Sequence, residues 1–265
     1  MGQWGEGMNT HLTKETIANL VTRCETAARE AAIYLPCTTI QEPFAAFTKG
    51  PYREEVTMYD KKIEKKILRR LILPDGNDGY WGEETGHYQG SSGIKWIIDP
   101  IDGTPNFVRR IPAYAISIAA EVDGKIVAGA IYDPSHQDIF TAGLAQGAEC
   151  NGYKIKSSNI CNLSDALIST GFSKKPKIRR KQAKIIYRLL TRVRDIRSCG
   201  SAALEFCWLA AGRLDAYYEH DLSYWDLAAG SLIASEAGVN ILVQDDFVVG
   251  AAPAISQELC ILLKQ

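Results

Sequence analysis

The stretch Trp96-Ile97-Ile98-Asp99-Pro100-Ile101-Asp102-Gly103-Thr104 constrains this chain more than any other. Ile94–Ile98 reads as a short apolar strand, and such a run belongs inside a sheet. The strand delivers Asp99 and, after a proline, Asp102. Two carboxylates three residues apart at a sharp bend repel each other unless a cation lies between them. Gly103 permits close backbone approach, and Thr104 and Pro105 suit the opening of a helix. A helix N-terminus offers free N–H groups, which favour a phosphate. One segment thus supplies metal ligands, a hydroxyl and an anion cradle. An isolated Asp-Pro-x-Asp would be a solvated turn; the apolar strand before it and the Gly-Thr after it argue for a site.

The rest of the chain gives that strand a sheet to join. Thr13–Leu35 has helical apolar spacing (Ile17, Leu20, Val21, Cys24, Ala28, Ala31, Leu35) with Thr13 as N-cap, and Pro36 ends it. Residues 37–55 read as an exposed loop. A second helix spans Thr57–Leu71, with Asp60 on the apolar face of Ile63, Ile67 and Leu71. Spacing alone allows Asp60 to be a first-turn acid that complements the helix dipole. Strands follow at 115–122, 125–132, 138–141 and 148–155, with Asp123-Gly124 and Asn151-Gly152 as turn signals. Beyond residue 156 strands and helices alternate: strands at 166–170, 195–199, 215–219 and near 240–249, helices at about 177–193, 201–211, 225–237 and from 255. The expected class is α+β with an α/β second half. The expected division is 10–155, two helices on a largely antiparallel sheet, and 156–265, an α/β unit.

Composition excludes several functions. Lys and Arg number 30 against 31 Asp and Glu, without the basic excess of a nucleic-acid binder. The basic run Lys174–Lys184 reads as a solvated helix face lying away from the acids, not as a nucleic-acid patch. Seven scattered Cys and four scattered His suggest neither a disulfide framework nor a soft-metal site. No apolar run approaches the roughly 18 residues of a membrane span, and no targeting signal is seen at the N-terminus, so the expected location is the cytoplasm.

Two further segments place acids beside glycine or a helix start: Gly82-Glu83-Glu84-Thr85 and Trp225-Asp226-Leu227-Ala228-Ala229-Gly230. Hard oxygen ligands of this kind favour Mg²⁺ shared with a substrate phosphate. The reaction class is metal-assisted hydrolysis of a phosphate ester.

These three segments, in this order, resemble the inositol monophosphatase family. That family shows G-E-E-[ST], D-P-[IL]-D-G-T-x-N-F and W-D-x-A-A-G. Supporting matches are Glu55–Asp60, Gly200–Ala203 and Ala216–Glu219, and the likeness covers the chain from about residue 13. It implies a layered αβαβα sandwich and a lithium-sensitive, Mg²⁺-dependent phosphomonoesterase with two or three ions. It implies that Glu83, Asp99 and the Ile101 carbonyl hold a first Mg²⁺, and that Asp99, Asp102 and Asp226 hold a second. A third, weaker site would involve Glu83. The catalytic candidates are Thr104, which helps activate the attacking water, its acidic partner Asp60, and Glu83. Asp102, Gly103, Thr104, Gly200, Ser201, Ala202 and Glu219 are the substrate-binding candidates; backbone N–H groups of Gly103 and Thr104 would hold the phosphate, and Glu219 would meet inositol hydroxyls.

The resemblance implies inositol 1-phosphate as substrate and a homodimer; the balanced charge leads us to expect no direct nucleic-acid contact. Fructose 1,6-bisphosphate, adenosine 3′,5′-bisphosphate and histidinol phosphate are alternatives on the same scaffold. So is a non-enzymatic role beside the transcription machinery. Pro105 and Thr85 replace a common Thr and Ser. The Gly-rich hairpin between 238 and 250 is trimmed, and residues 37–53, where the family has a mobile loop, do not align.

Overall fold

Single strands that bury both faces set the layers. In the computed structural model, which describes residues 12–36, 45–49, 54–72, 76–244 and 246–264, the strand β5 (Ile94–Asp102) sends Trp96 and Ile98 into one apolar cluster and Ile97 into another. This is the two-residue alternation of a pleated strand with a core on each side.

β5 sits in an eight-stranded sheet. It pairs in parallel with β3 (Gly79–Gly82), which continues antiparallel into β4 (Gly86–Tyr88). On its other edge follow β6 (Ala115–Val122), β7 (Lys125–Asp133), β8 (Asp138–Gly143), β9 (Gly147–Cys150) and β10 (Tyr153–Lys154), all antiparallel. Two helices cover one face. In α1 (Lys14–Ala32) the Thr13 hydroxyl accepts the Thr16 N–H at 3.1 Å, and Ile17, Leu20, Cys24, Ala27, Ala28 and Ala31 form the buried stripe. In α2 (Met58–Leu71) the stripe is Asp60, Ile63, Glu64, Ile67 and Leu71, so two acids lie in a face that should be apolar.

The opposite face packs on α5 (Ala202–Ala210) and α6 (Tyr224–Glu236). Beneath them lies a five-stranded sheet in the order β12 (Asp195–Arg197), β11 (Leu167–Thr170), β13 (Ala216–His220), β15 (Phe247–Ala251), β14 (Asn240–Gln244). β11 runs parallel to β12 and β13, and the β15 pairings are antiparallel. Tyr217 of β13 faces α5 and α6, while Tyr218 faces the outer helices α4 (Pro176–Leu189) and α7 (Pro253–Lys264). The stack is therefore αβαβα, as the resemblance implied.

The structure corrects two expectations. The loop expected at 37–55 contains a two-stranded ribbon, β1 (Ala46–Lys49) and β2 (Glu54–Thr57), paired antiparallel. Its strands pair only with each other, and four-residue strands carry too little apolar alternation to signal themselves in the sequence. The other expected features of 37–53 lie outside the described residues. β5 does not stop before Asp99: it runs through Pro100 to Asp102, with a register break against β6 between Asp99 and Asp102. A proline lacks a ladder donor and is accommodated at such an irregularity.

Candidate active site

Each acidic side chain is brought in by a different element. Asp99 and Asp102 come from the irregular end of β5, Asp226 from the first turn of α6, and Glu83 from the turn between β3 and β4. Ligand oxygens of Asp99, Asp102 and Asp226 lie within 4.8 Å of one another, and the group can hold a metal ion. Glu83 lines the same cleft of about 500 Å³, a volume typical of small-molecule sites.

Among the described residues no Lys or Arg forms an ion pair with these three aspartates. Burial, then the neighbouring Glu83, Asp102 and Asp226, pushes the Asp99 carboxyl well above the usual range. Burial and the nearby Asp102 do the same for Asp226. Burial also raises Asp102, against the hydrogen bonds it accepts. An all-oxygen set that repels itself this strongly fits a hard divalent cation.

Each ligand is fixed by its own hydrogen bonds. Asp102 Oδ2 accepts from Ser201 Oγ at 2.5 Å and from the Ala203 N–H at 2.8 Å. Asp99 Oδ1 accepts the Ile101 N–H at 3.0 Å, and Asp226 Oδ2 accepts the Ser223 N–H at 2.7 Å. Gly103 has φ of +90°, and a Cβ there would stand 3.0 Å from the Ala113 carbonyl and 3.1 Å from that of Gly200. Only glycine lets the two motifs close together at this point. Gly200 and Ala202 line the cleft, whereas the Ser201 hydroxyl is turned to Asp102.

Thr104 opens the short helix α3 (Thr104–Arg109). Its Oγ1 donates toward the Ile101 carbonyl at 3.0 Å and Asp60 Oδ1 at 3.2 Å. Asp60 Oδ2 accepts the Thr57 N–H at 2.7 Å and the Thr57 hydroxyl at 2.6 Å. Asp60 is thus both the helix cap acid and the partner of Thr104, and burial raises its carboxyl. Glu219 lies in the cleft wall with the Tyr217 hydroxyl donating to it at 2.6 Å, and burial raises it well above the usual range.

Three contributors escaped the sequence reading. Glu64, one helical turn after Asp60, is fully buried. Its Oε2 accepts the Glu84 N–H at 2.8 Å; its Oε1 accepts the Thr85 N–H at 2.7 Å and the Thr85 hydroxyl. A Cβ at Gly82 would collide with that carboxylate, which explains the glycine before Glu83. Asn106 Nδ2 donates to the carbonyls of Ala113 at 2.6 Å and Cys199 at 2.7 Å, tying α3 to the loop before α5. Thirdly, the basic run does not lie wholly away from the acids: Lys174, Lys175 and Arg179 line the cleft. The fold carries the N-terminal end of α4 to the cleft, a placement that local spacing does not encode.

Comparison with known proteins matches residues 18–251 to the "Inositol monophosphatase family". The Inositol-1-monophosphatase SuhB of Mycobacterium tuberculosis is 40% identical over 237 residues, covering 83% of this chain and 82% of that protein. The Nus factor SuhB of Escherichia coli is 38% identical over 185 residues, 69% of each chain. The crystal structure of the extragenic suppressor protein SuhB from Bartonella henselae superposes with a TM-score of 0.86 at 33% identity, covering 93% of this chain and 99% of that one.

Proposed function

The chain belongs to the inositol monophosphatase family, and from that premise we propose that it hydrolyses inositol 1-phosphate to inositol and phosphate with Mg²⁺. The observation that carries this reading is the meeting of three aspartates within 4.8 Å beside the Thr104–Asp60 pair. Glu83, Asp99 and the Ile101 carbonyl would hold one ion, and Asp99, Asp102 and Asp226 another; a third would engage Glu83. Bound Mg²⁺ lowers the charge on the ester and makes the attacking water more acidic.

The chain's own residues supply the rest. Thr104 Oγ1 accepts a proton from the attacking water as it passes its own to Asp60, whose burial raises its proton affinity. The N–H groups of Gly103 and Thr104 receive the phosphate at the start of α3. Glu219, held by Tyr217, accepts hydrogen bonds from the polyol, with Gly200 and Ala202 as wall and Ser201 behind Asp102.

The test is phosphate release, with Mg²⁺, from inositol 1-phosphate, fructose 1,6-bisphosphate, adenosine 3′,5′-bisphosphate and histidinol phosphate. Fastest turnover of fructose 1,6-bisphosphate, of the nucleotide or of histidinol phosphate would reject the inositol-phosphate assignment. A second reading, a scaffold role in transcription, is supported by the name of the Escherichia coli relative. It predicts that Asp99→Asn leaves a cellular phenotype intact.

We also propose a homodimer, to be checked by sedimentation, and two subdomains meeting near residue 155. No helix among the described residues is long and apolar enough to cross a membrane; a cytoplasmic location accords with free thiols at Cys24 and Cys207 in the core.

A further inference from the structure

Gly171 follows the last residue of β11 at a point where the backbone does not call for glycine. Its φ lies outside the left-handed region that favours one. What excludes a side chain is a neighbour: a Cβ built at 171 would fall on both carboxylate oxygens of Glu219. The acid thus occupies the space that any other residue at 171 would fill, on a cleft wall that the two residues share.

The backbone has little room to retreat. β11 is paired on both edges, with Ser169 opposite Arg197 on one side and Tyr217 on the other. The fully buried Gln182 donates to the Gly171 carbonyl at 2.8 Å and accepts the Ser173 N–H at 3.1 Å, which fixes the turn that follows. The Glu219 side chain is the softer partner. Its tip is held by the Tyr217 hydroxyl, which donates to Oε2 at 2.6 Å. The Tyr217 ring is itself fully buried, edge-on to Phe206 at 4.9 Å between centroids. An atom added at 171 is therefore accommodated by the acid swinging away, and the swing breaks the Tyr217 bond.

We propose that Gly171 and Tyr217 are positioning residues that fix the Glu219 carboxylate for hydroxyl-bearing leaving groups, so that the empty space at 171 sets the specificity of the cleft together with the acid. The proposal rests on the reading above in which Glu219 meets the polyol.

Inositol 1-phosphate and phenyl phosphate, whose leaving group carries no further hydroxyl, serve as the probes. The quantity to read is the ratio of their kcat/KM values at saturating Mg²⁺, each variant against the wild type. We expect Gly171→Ala and Tyr217→Phe each to lower the ratio about 10-fold, the scale of a lost hydrogen bond to a charged group. The change should lie in KM for inositol 1-phosphate. In a Glu219→Ala background Gly171→Ala should lower neither the ratio nor the melting temperature further, because the group it collides with is gone. Tyr217→Phe adds no atom, so it reads the positioning even where Gly171→Ala does not fold. Equal losses on both esters, or a ratio that falls in Glu219→Ala but holds in Gly171→Ala and Tyr217→Phe, would overturn the positioning. A ratio unchanged in Glu219→Ala would overturn it together with the polyol role of Glu219. If the wild type hydrolyses neither ester, the phosphatase reading itself fails.

Discussion

Thr104 and Asp60, on separate helices and 44 positions apart in the chain, meet at 3.2 Å beside the three converging aspartates. The contact joins the start of α3 to the start of α2, so the hydroxyl proposed to activate water is aimed by an acid that also caps a helix.

Replacing Asp60 by Asn keeps an oxygen for the Thr57 N–H but removes the proposed proton acceptor. We expect kcat for inositol 1-phosphate to fall about 100-fold or more, the scale of a lost general base, with KM and thermal stability little changed. Steady-state kinetics at saturating Mg²⁺ decide it, and a loss under about threefold would remove Asp60 from proton transfer.

Glu64 acts one step further out, through the turn that carries Glu83. Glu64→Gln turns an amide donor toward the backbone N–H groups of Glu84 and Thr85 and leaves one of them unsatisfied. Such a defect costs about 1–3 kcal/mol. We expect the half-saturating Mg²⁺ concentration to rise about 10-fold while kcat at saturating metal holds. Direct titration with Mn²⁺ should show the same weakening; unchanged metal affinity together with a lowered melting temperature would make Glu64 purely structural.

The acid cluster also sets a pH dependence. The unfolded Asp226 titrates near 3.8, whereas the folded one is pushed up to about 8, and Asp99 is raised as well. Between those values the folded protein retains protons that the unfolded chain has released. The contribution of these groups to metal-free stability is therefore fully present below about pH 4 and is lost as pH rises toward about 8, by roughly 1.4 kcal/mol per pH unit for each retained proton. Calorimetry in EDTA from pH 7 to 8.5 should show Tm falling, and Mg²⁺ should flatten the slope. A Tm that rises with pH in EDTA would contradict the reading of the cluster as uncompensated.

The parts legible in the sequence were those with local chemistry. Thr13 and Thr57 cap the expected helices, and Asp99, Asp102 and Asp226 sit where their motifs put them. Features set by distant packing were not legible. Glu64 resembles any charged helix residue until α2 is laid against the Gly82–Thr85 turn. The ribbon of β1 and β2 has no apolar period to reveal it, and the Lys174–Arg179 rim depends on where β11 delivers α4. Nearly balanced charge likewise concealed a cleft with an acidic floor and a cationic stretch of wall.

The central claim is that Asp99, shared between the proposed ions, makes this cleft a metal-dependent phosphatase site. Its most direct measurement is phosphate release from inositol 1-phosphate by the wild type and by Asp99→Asn, each with Mg²⁺ and with EDTA, alongside circular dichroism of both proteins. The account predicts release only from the wild type with Mg²⁺, a loss of at least about 100-fold in the variant, and matching spectra. Release that persists in EDTA, or in a folded Asp99→Asn protein, would contradict it.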